Sequence, residues 1–138
     1  MGQLPMRESD IQRAVIQHWR VRGVKGSVVA HIPNGEYRPI GTARRLASLG
    51  TLPGMPDLFC ASNGSVFFIE LKRPGGRVSA AQKETFQALR EAGVRVHVMS
   101  DLDEVIRLLE AEGVLHVARQ YRVADRVAGR AEECGRRG

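Results

Sequence analysis

A chain of 138 residues with 43% apolar content is long enough to bury one core without disulfides or a structural metal. Its formal charge of +6, carried mostly by arginine, points to a polyanionic partner, although plain solubility or a GC-rich coding sequence also produces arginine excess. No apolar stretch approaches a membrane span, the first residues lack the apolar core of a signal peptide, and Cys60 and Cys134 form no metal-ligand pattern, so a cytoplasmic protein without disulfides is expected.

Ile11 to Arg22 reads as a helix, because Ile11, Ala14, Val15, His18 and Trp19 recur at helical spacing. Glu8 continues that stripe toward the interior, whereas Asp10 aligns with Arg13 and Gln17 on the polar face. Ser27 to Ile32 is a strand and Pro33-Asn34-Gly35 a turn that borders any cleft. Thr42 to Leu49 is a short helix stopped by Gly50, and Thr51 to Pro56 is an irregular connection. Two β-rich runs, Leu58–Ala61 and Val66–Lys72, flank Ser62-Asn63-Gly64-Ser65 and form a hairpin.

Arg73 to Arg77 is a loop. Ser79 caps a helix that runs to about Ala92, and Gln82 three residues on fits a capping box. Val94–Met99 is a strand, and Ser100 caps a helix from Leu102 to about Glu112. The domain is expected over residues 1–112, with 113–138 a basic extension that is partly disordered. The strand ending at Lys72 reaches the next strand through a helix, which implies parallel pairing. An α/β fold results, a mixed sheet flanked by helices on both faces.

If the hairpin closes symmetrically about Asn63-Gly64, Ala61 faces Val66 and Asp57 faces Glu70. Alternation puts Glu70 and Lys72 on one face. Like charges directly opposite on a sheet are destabilising, so a cation belongs between Asp57 and Glu70. A divalent metal held by oxygens, with Lys72 alongside, answers that need.

These residues resemble the PD-(D/E)XK nuclease superfamily, in which Pro56-Asp57 matches the first motif and Glu70-Leu71-Lys72 the second. The wider run Gly54-Met55-Pro56-Asp57-Leu58-Phe59, then Phe68 to Pro74, then Gly76 to Gln82, is similar to the VRR-NUC subfamily. His31-Ile32-Pro33-Asn34-Gly35 and Glu8-Ser9-Asp10-Ile11-Gln12 are similar to its small stand-alone, phage-type members. The resemblance implies a restriction-endonuclease-like sheet and a nuclease dependent on Mg²⁺ or Mn²⁺. It implies metal contacts from Asp57, Glu70, the Leu71 carbonyl and Glu8, with Lys72 and Gln82 completing the catalytic set. Its implied substrate is DNA, cut with structure selectivity on branched or junction forms, and its implied assembly is a homodimer.

Several of these residues carry a second reading. Glu8 also suits any helix N-terminus, and Gln82 either closes the capping box or points into the site; one rotamer is not expected to do both. Arg73 and Arg77 either grip phosphates or line a solvated loop, and Arg44 and Arg45 either track a DNA backbone or lie on an exposed helix face. The four histidines have no HxH or HxxxH spacing, and no GxxxxGK[ST] phosphate loop is present, which excludes an ATPase. The alternatives to a nuclease are a catalytically silent nucleic-acid-binding module and a structural subunit of a phage recombination or packaging complex.

Overall fold

The computed structural model describes residues 4–34 and 38–118; Cys134 and most of the basic extension lie outside them. The element order is α1 (Glu8–Arg22), β1 (Val28–His31), α2 (Ile40–Ser48), β2 (Leu58–Ser62), β3 (Ser65–Leu71), α3 (Ala80–Glu91), β4 (Arg95–Met99) and α4 (Leu102–Ala111). The strands form one sheet in the order β1-β2-β3-β4. The first two pairings are antiparallel, and β3 pairs with β4 in parallel through the α3 crossover.

Alternation along β3 sorts two cores. Phe67, Ile69 and Leu71 point to one face, where Ile11 and Val15 of α1 and Val105, Ile106 and Leu109 of α4 cover them. Phe68 points to the other and packs with Phe86 of α3 and Val96 of β4. Cys60 is fully buried in the first core, and burial pushes its thiol up to about 12, so it is an inert packing residue. Helices thus cover both faces, as the sequence predicts.

The hairpin closes on Asn63 and Gly64, with φ of 51° and 74°. Two positive φ values in a two-residue loop match the right-handed twist of the flanking strands. Ala61 pairs with Val66 and Leu58 with Ile69, which is the register expected from symmetry.

Three local details differ from the sequence reading. α1 begins at Glu8, three residues before Ile11, so Glu8 sits in the first helical turn. The cap of α4 is Asp101, not Ser100: its side chain accepts from the Glu104 amide. The charge of Asp101 suits the positive end of the helix dipole better than a hydroxyl does. Val114 and Leu115 lie beyond residue 112, yet both are buried in the first core. The Val114 carbonyl accepts from the Val24 amide and the Ser27 hydroxyl, which ties this segment to the exit of α1.

Candidate active site

The segment before β2 carries Asp57, and neighbours clamp it from two sides. On the α3 side, Gly54 has φ +76°, and a Cβ there would stand 2.5 Å from the Ala81 carbonyl carbon. Only glycine allows that approach and that backbone angle together. Thr85 of the same helix donates its hydroxyl proton to the Pro53 carbonyl at 2.7 Å. On the β1 side, the Ile32 amide donates to the Asp57 carbonyl at 2.8 Å, and His31 Nδ1 lies 2.9 Å from that same oxygen. Asn34 Nδ2 donates to the Met55 carbonyl at 3.1 Å.

So held, Asp57 and Glu70 exchange backbone contacts across the strands. The Asp57 amide donates to Glu70 Oε2 at 3.2 Å, and the Leu71 amide donates to Asp57 Oδ2 at 2.8 Å. Glu70 is only 2% exposed. Burial, and then the charge of Asp57, push its carboxyl above the ordinary carboxylate range, against the pull of Lys72. Lys72 Nζ lies 3.2 Å from Glu70 Oε1. Gln82 Nε2 donates to that same oxygen at 2.7 Å.

Gln82 fills both roles that the sequence reading sets against each other. Its Oε1 accepts from the Ser79 amide at 2.9 Å and closes the capping box, while its Nε2 reaches Glu70. A primary amide has an acceptor end and a donor end, and the two ends serve different partners in one rotamer.

Glu8 occupies the α1 side of the strand end. Its Oε1 accepts from the Arg73 amide at 2.9 Å, one residue beyond Lys72. Among the described residues, no three His, Cys, Asp or Glu side chains converge as a metal-holding group, and the contact of Glu8 at this end of the sheet is the Arg73 amide. Asp10 turns away and pairs with Arg13, as its helical position predicts. Arg73, Arg77, Arg44 and Arg45 are exposed, and their side chains make no hydrogen bond or ion pair within the described residues.

The free lone pairs indicate what the pair can hold. Glu70 Oε1 has two donors and Oε2 one; Asp57 Oδ2 has one, and Oδ1 has none among the described residues. Within a strand, the N–H and C=O of one residue lie on the same edge, so the Leu71 carbonyl is on the side of Asp57. The donors are all hard oxygens and few in number, which fits a cation such as Mg²⁺ that keeps several of its waters.

Sequence reasoning missed the clamp. By sequence His31 lacks a metal-ligand spacing and Asn34 belongs to a turn, yet both fasten the backbone that carries Asp57. The punctuation Pro53-Gly54 was the available signal, since a glycine inside an irregular connection marks close backbone approach. A cavity of about 590 Å³ lies along α3 and β4 between Val78, Phe86 and Val98, and its lining includes neither Asp57 nor Glu70. A smaller cleft opens onto Asp57 and is lined also by Asn34, Met55 and Gln82.

A mixed sheet with helices on both faces and a strand-end carboxylate pair define a restriction-endonuclease-like, nuclease-type domain. The family model of the VRR-NUC domain matches residues 6–100, and the chain belongs to that family. A solved VRR_NUC domain protein superposes with a TM-score of 0.64 at 23% identity, over 79% of this chain and 89% of that one. A second solved VRR_NUC domain gives a TM-score of 0.52 at 21% identity, over 75% of this chain and 94% of the other. No curated protein matches the chain in sequence. No helix among the described residues is long and apolar enough to cross a membrane.

Proposed function

We propose that the protein hydrolyses DNA phosphodiester bonds with the help of Mg²⁺ or Mn²⁺ held by Asp57, Glu70 and the Leu71 carbonyl. One observation carries the reading. Glu70 is buried opposite a second carboxylate and is fixed by three donors, an arrangement that lowers stability and that a cation would relieve. The bound metal would supply an activated water and neutralise charge on the phosphate.

The chain's own groups do the rest. Lys72 spends part of its donor capacity on Glu70 and keeps the remainder for the attacking water or a phosphoryl oxygen. Gln82 holds Glu70 against rotation, and the α3 cap holds Gln82. Glu8 anchors the turn after Lys72 at the Arg73 amide, and so acts on the position of the lysine or on the waters around it. Arg73 and Arg77 on one side, with Arg44 and Arg45 of α2 on another, would meet phosphates rather than bases.

Structure selectivity for branched DNA and a homodimeric working unit complete the reading, and both rest on the family resemblance. A two-fold dimer would place two cuts symmetrically across a junction. The test compares linear, flap and four-way DNA in Mg²⁺, Mn²⁺ and chelator, with light scattering for subunit number. Metal-dependent nicking abolished by Glu70→Gln is the expected result. Nicking unaffected by that change would overturn the assignment.

A further inference from the structure

A second cavity opens beside the carboxylate cleft. It measures about 270 Å³ and is lined by Ile32, Pro33, Asn34, Gly50, Thr51, Leu52 and Met55. It shares Asn34 and Met55 with the cleft that contains Asp57, so an occupant of one is separated from the other by a single layer of side chains. Its floor is half-buried Ile32 and Met55, and one wall is Leu52, an aliphatic side chain left 58% exposed. Drug-sized ligands occupy about 300–1,000 Å³, so this space suits a smaller apolar body such as one flat ring system.

Charge indicates what that body is attached to. From residue 38 to residue 56 the chain carries Arg38, Arg44 and Arg45 and no carboxylate. The Arg38 guanidinium donates to the carbonyl of Pro33, one of the pocket's own walls. α2, which bears the other two arginines, buries none of its residues, so its contribution to the core does not account for its presence. An apolar slot with Arg38 held at its Pro33 wall, and with the exposed Arg44 and Arg45 on the neighbouring helix, matches a nucleotide: base in the slot, flanking phosphates on the arginines.

We infer that the Ile32–Leu52–Met55 pocket receives one unstacked nucleobase next to the bond that is cut. The inference rests on the nuclease reading above and deepens it. Taking a base out of a stack costs least where it is already unpaired, so the pocket would select flaps, branch points and single strands without reading sequence. Asn34 Nδ2 is committed to the Met55 carbonyl, which leaves its Oδ1, with the Thr51 hydroxyl, as the polar side-chain groups of the lining that a base edge could meet.

The test uses the full chain in chelator, so that DNA binds uncut. Flap DNA carries 2-aminopurine at the unpaired nucleotide of the branch, and a fully paired duplex is the control. Saturating wild-type protein should raise the fluorescence as the base leaves its stack. Leu52→Asn is isosteric, polar and at an exposed position, so its melting should match wild type; Leu52→Ala provides a second variant. Both should abolish the rise and weaken flap binding by about tenfold, with duplex binding unchanged. An unchanged signal and affinity in both variants would overturn the pocket, as would displacement of an acidic peptide from this face that flap DNA cannot achieve. No fluorescence rise with wild-type protein, while its metal-dependent cleavage persists, refutes this inference alone. A retained signal with no cleavage of any DNA refutes the nuclease reading alone.

Discussion

Gln82 and Glu70 are joined by a 2.7 Å hydrogen bond, and the amide that makes it is itself fixed by the first turn of α3. The helix cap and the buried carboxylate are therefore one mechanical unit. A change at the cap reaches the site through the side chain of Gln82.

That coupling separates two substitutions. Ser79→Ala removes half of the capping box and should cost about 1 kcal/mol of stability, with cleavage largely kept because Gln82 Nε2 still reaches Glu70. Gln82→Ala should cost a similar amount and also lower single-turnover cleavage by ~10-fold or more, since Glu70 loses a donor. Gln82→Glu keeps an acceptor for the Ser79 amide but sets a third carboxylate against Glu70, and should be the least stable of the three at neutral pH. Urea melts paired with single-turnover rates check the ranking.

Glu70 gives a pH signature in the metal-free protein. Burial and Asp57 raise its carboxyl above the ordinary value of 4.5, so the proton binds the folded state more tightly than the unfolded. The stability it contributes is complete below about 4.5 and is lost as pH rises through the raised folded value. Relative to wild type, Glu70→Gln should therefore melt higher at neutral pH in chelator, and the gap should close on acidification. Asp57→Asn should also raise the neutral melting point by removing repulsion, and both should abolish cleavage. Parallel melting curves across pH for wild type and Glu70→Gln would count against the buried-charge account.

Lys72→Ala should lower cleavage by ~10²-fold or more if the ammonium positions the water or stabilises the phosphoryl oxygens. It should also destabilise the metal-free protein, because Glu70 loses its ion-pair partner in a buried setting. Added divalent metal should restore much of the stability but not the rate. Recovery of both would reduce Lys72 to a counter-ion.

Gly54→Ala tests the clamp. The new methyl would meet the Ala81 carbonyl at 2.5 Å on a backbone with φ +76°. The expected cost exceeds about 1 kcal/mol, with a fall in activity because the segment that carries Asp57 must shift. Thr85→Ala removes one hydrogen bond from the same segment and should cost less, about 1 kcal/mol. Thermal melts rank the two.

Arg77→Ala should weaken DNA binding regardless of base sequence and make the salt dependence shallower by about one unit. A salt series on several unrelated duplexes, in Ca²⁺ with Asp57→Asn protein, measures this. Strong discrimination among linear sequences would indicate base readout in place of phosphate contact.

Much of the fold was legible because it depends on short-range pattern. Spacing at 11, 15 and 18–19 set α1, and the Asn63-Gly64 turn set the hairpin register, which when continued one residue past Leu58 brings Asp57 to Glu70. Alternation then put Lys72 beside Glu70, which the 3.2 Å contact bears out. Other features had no local signature. That Val114 and Leu115 belong to the core follows from the bridge between Gly23 and Leu115, a pairing of residues far apart in the chain. The clamp of His31, Asn34 and Gly54 on the Asp57 segment, and the two-ended use of Gln82, are likewise contacts between distant segments. The sequence by itself determined which chemical groups the strand end presents, because periodicity and turn geometry act over a few residues. Only the tertiary structure decided how those groups are held, because hydrogen bonds between separate elements depend on where packing brings the elements together.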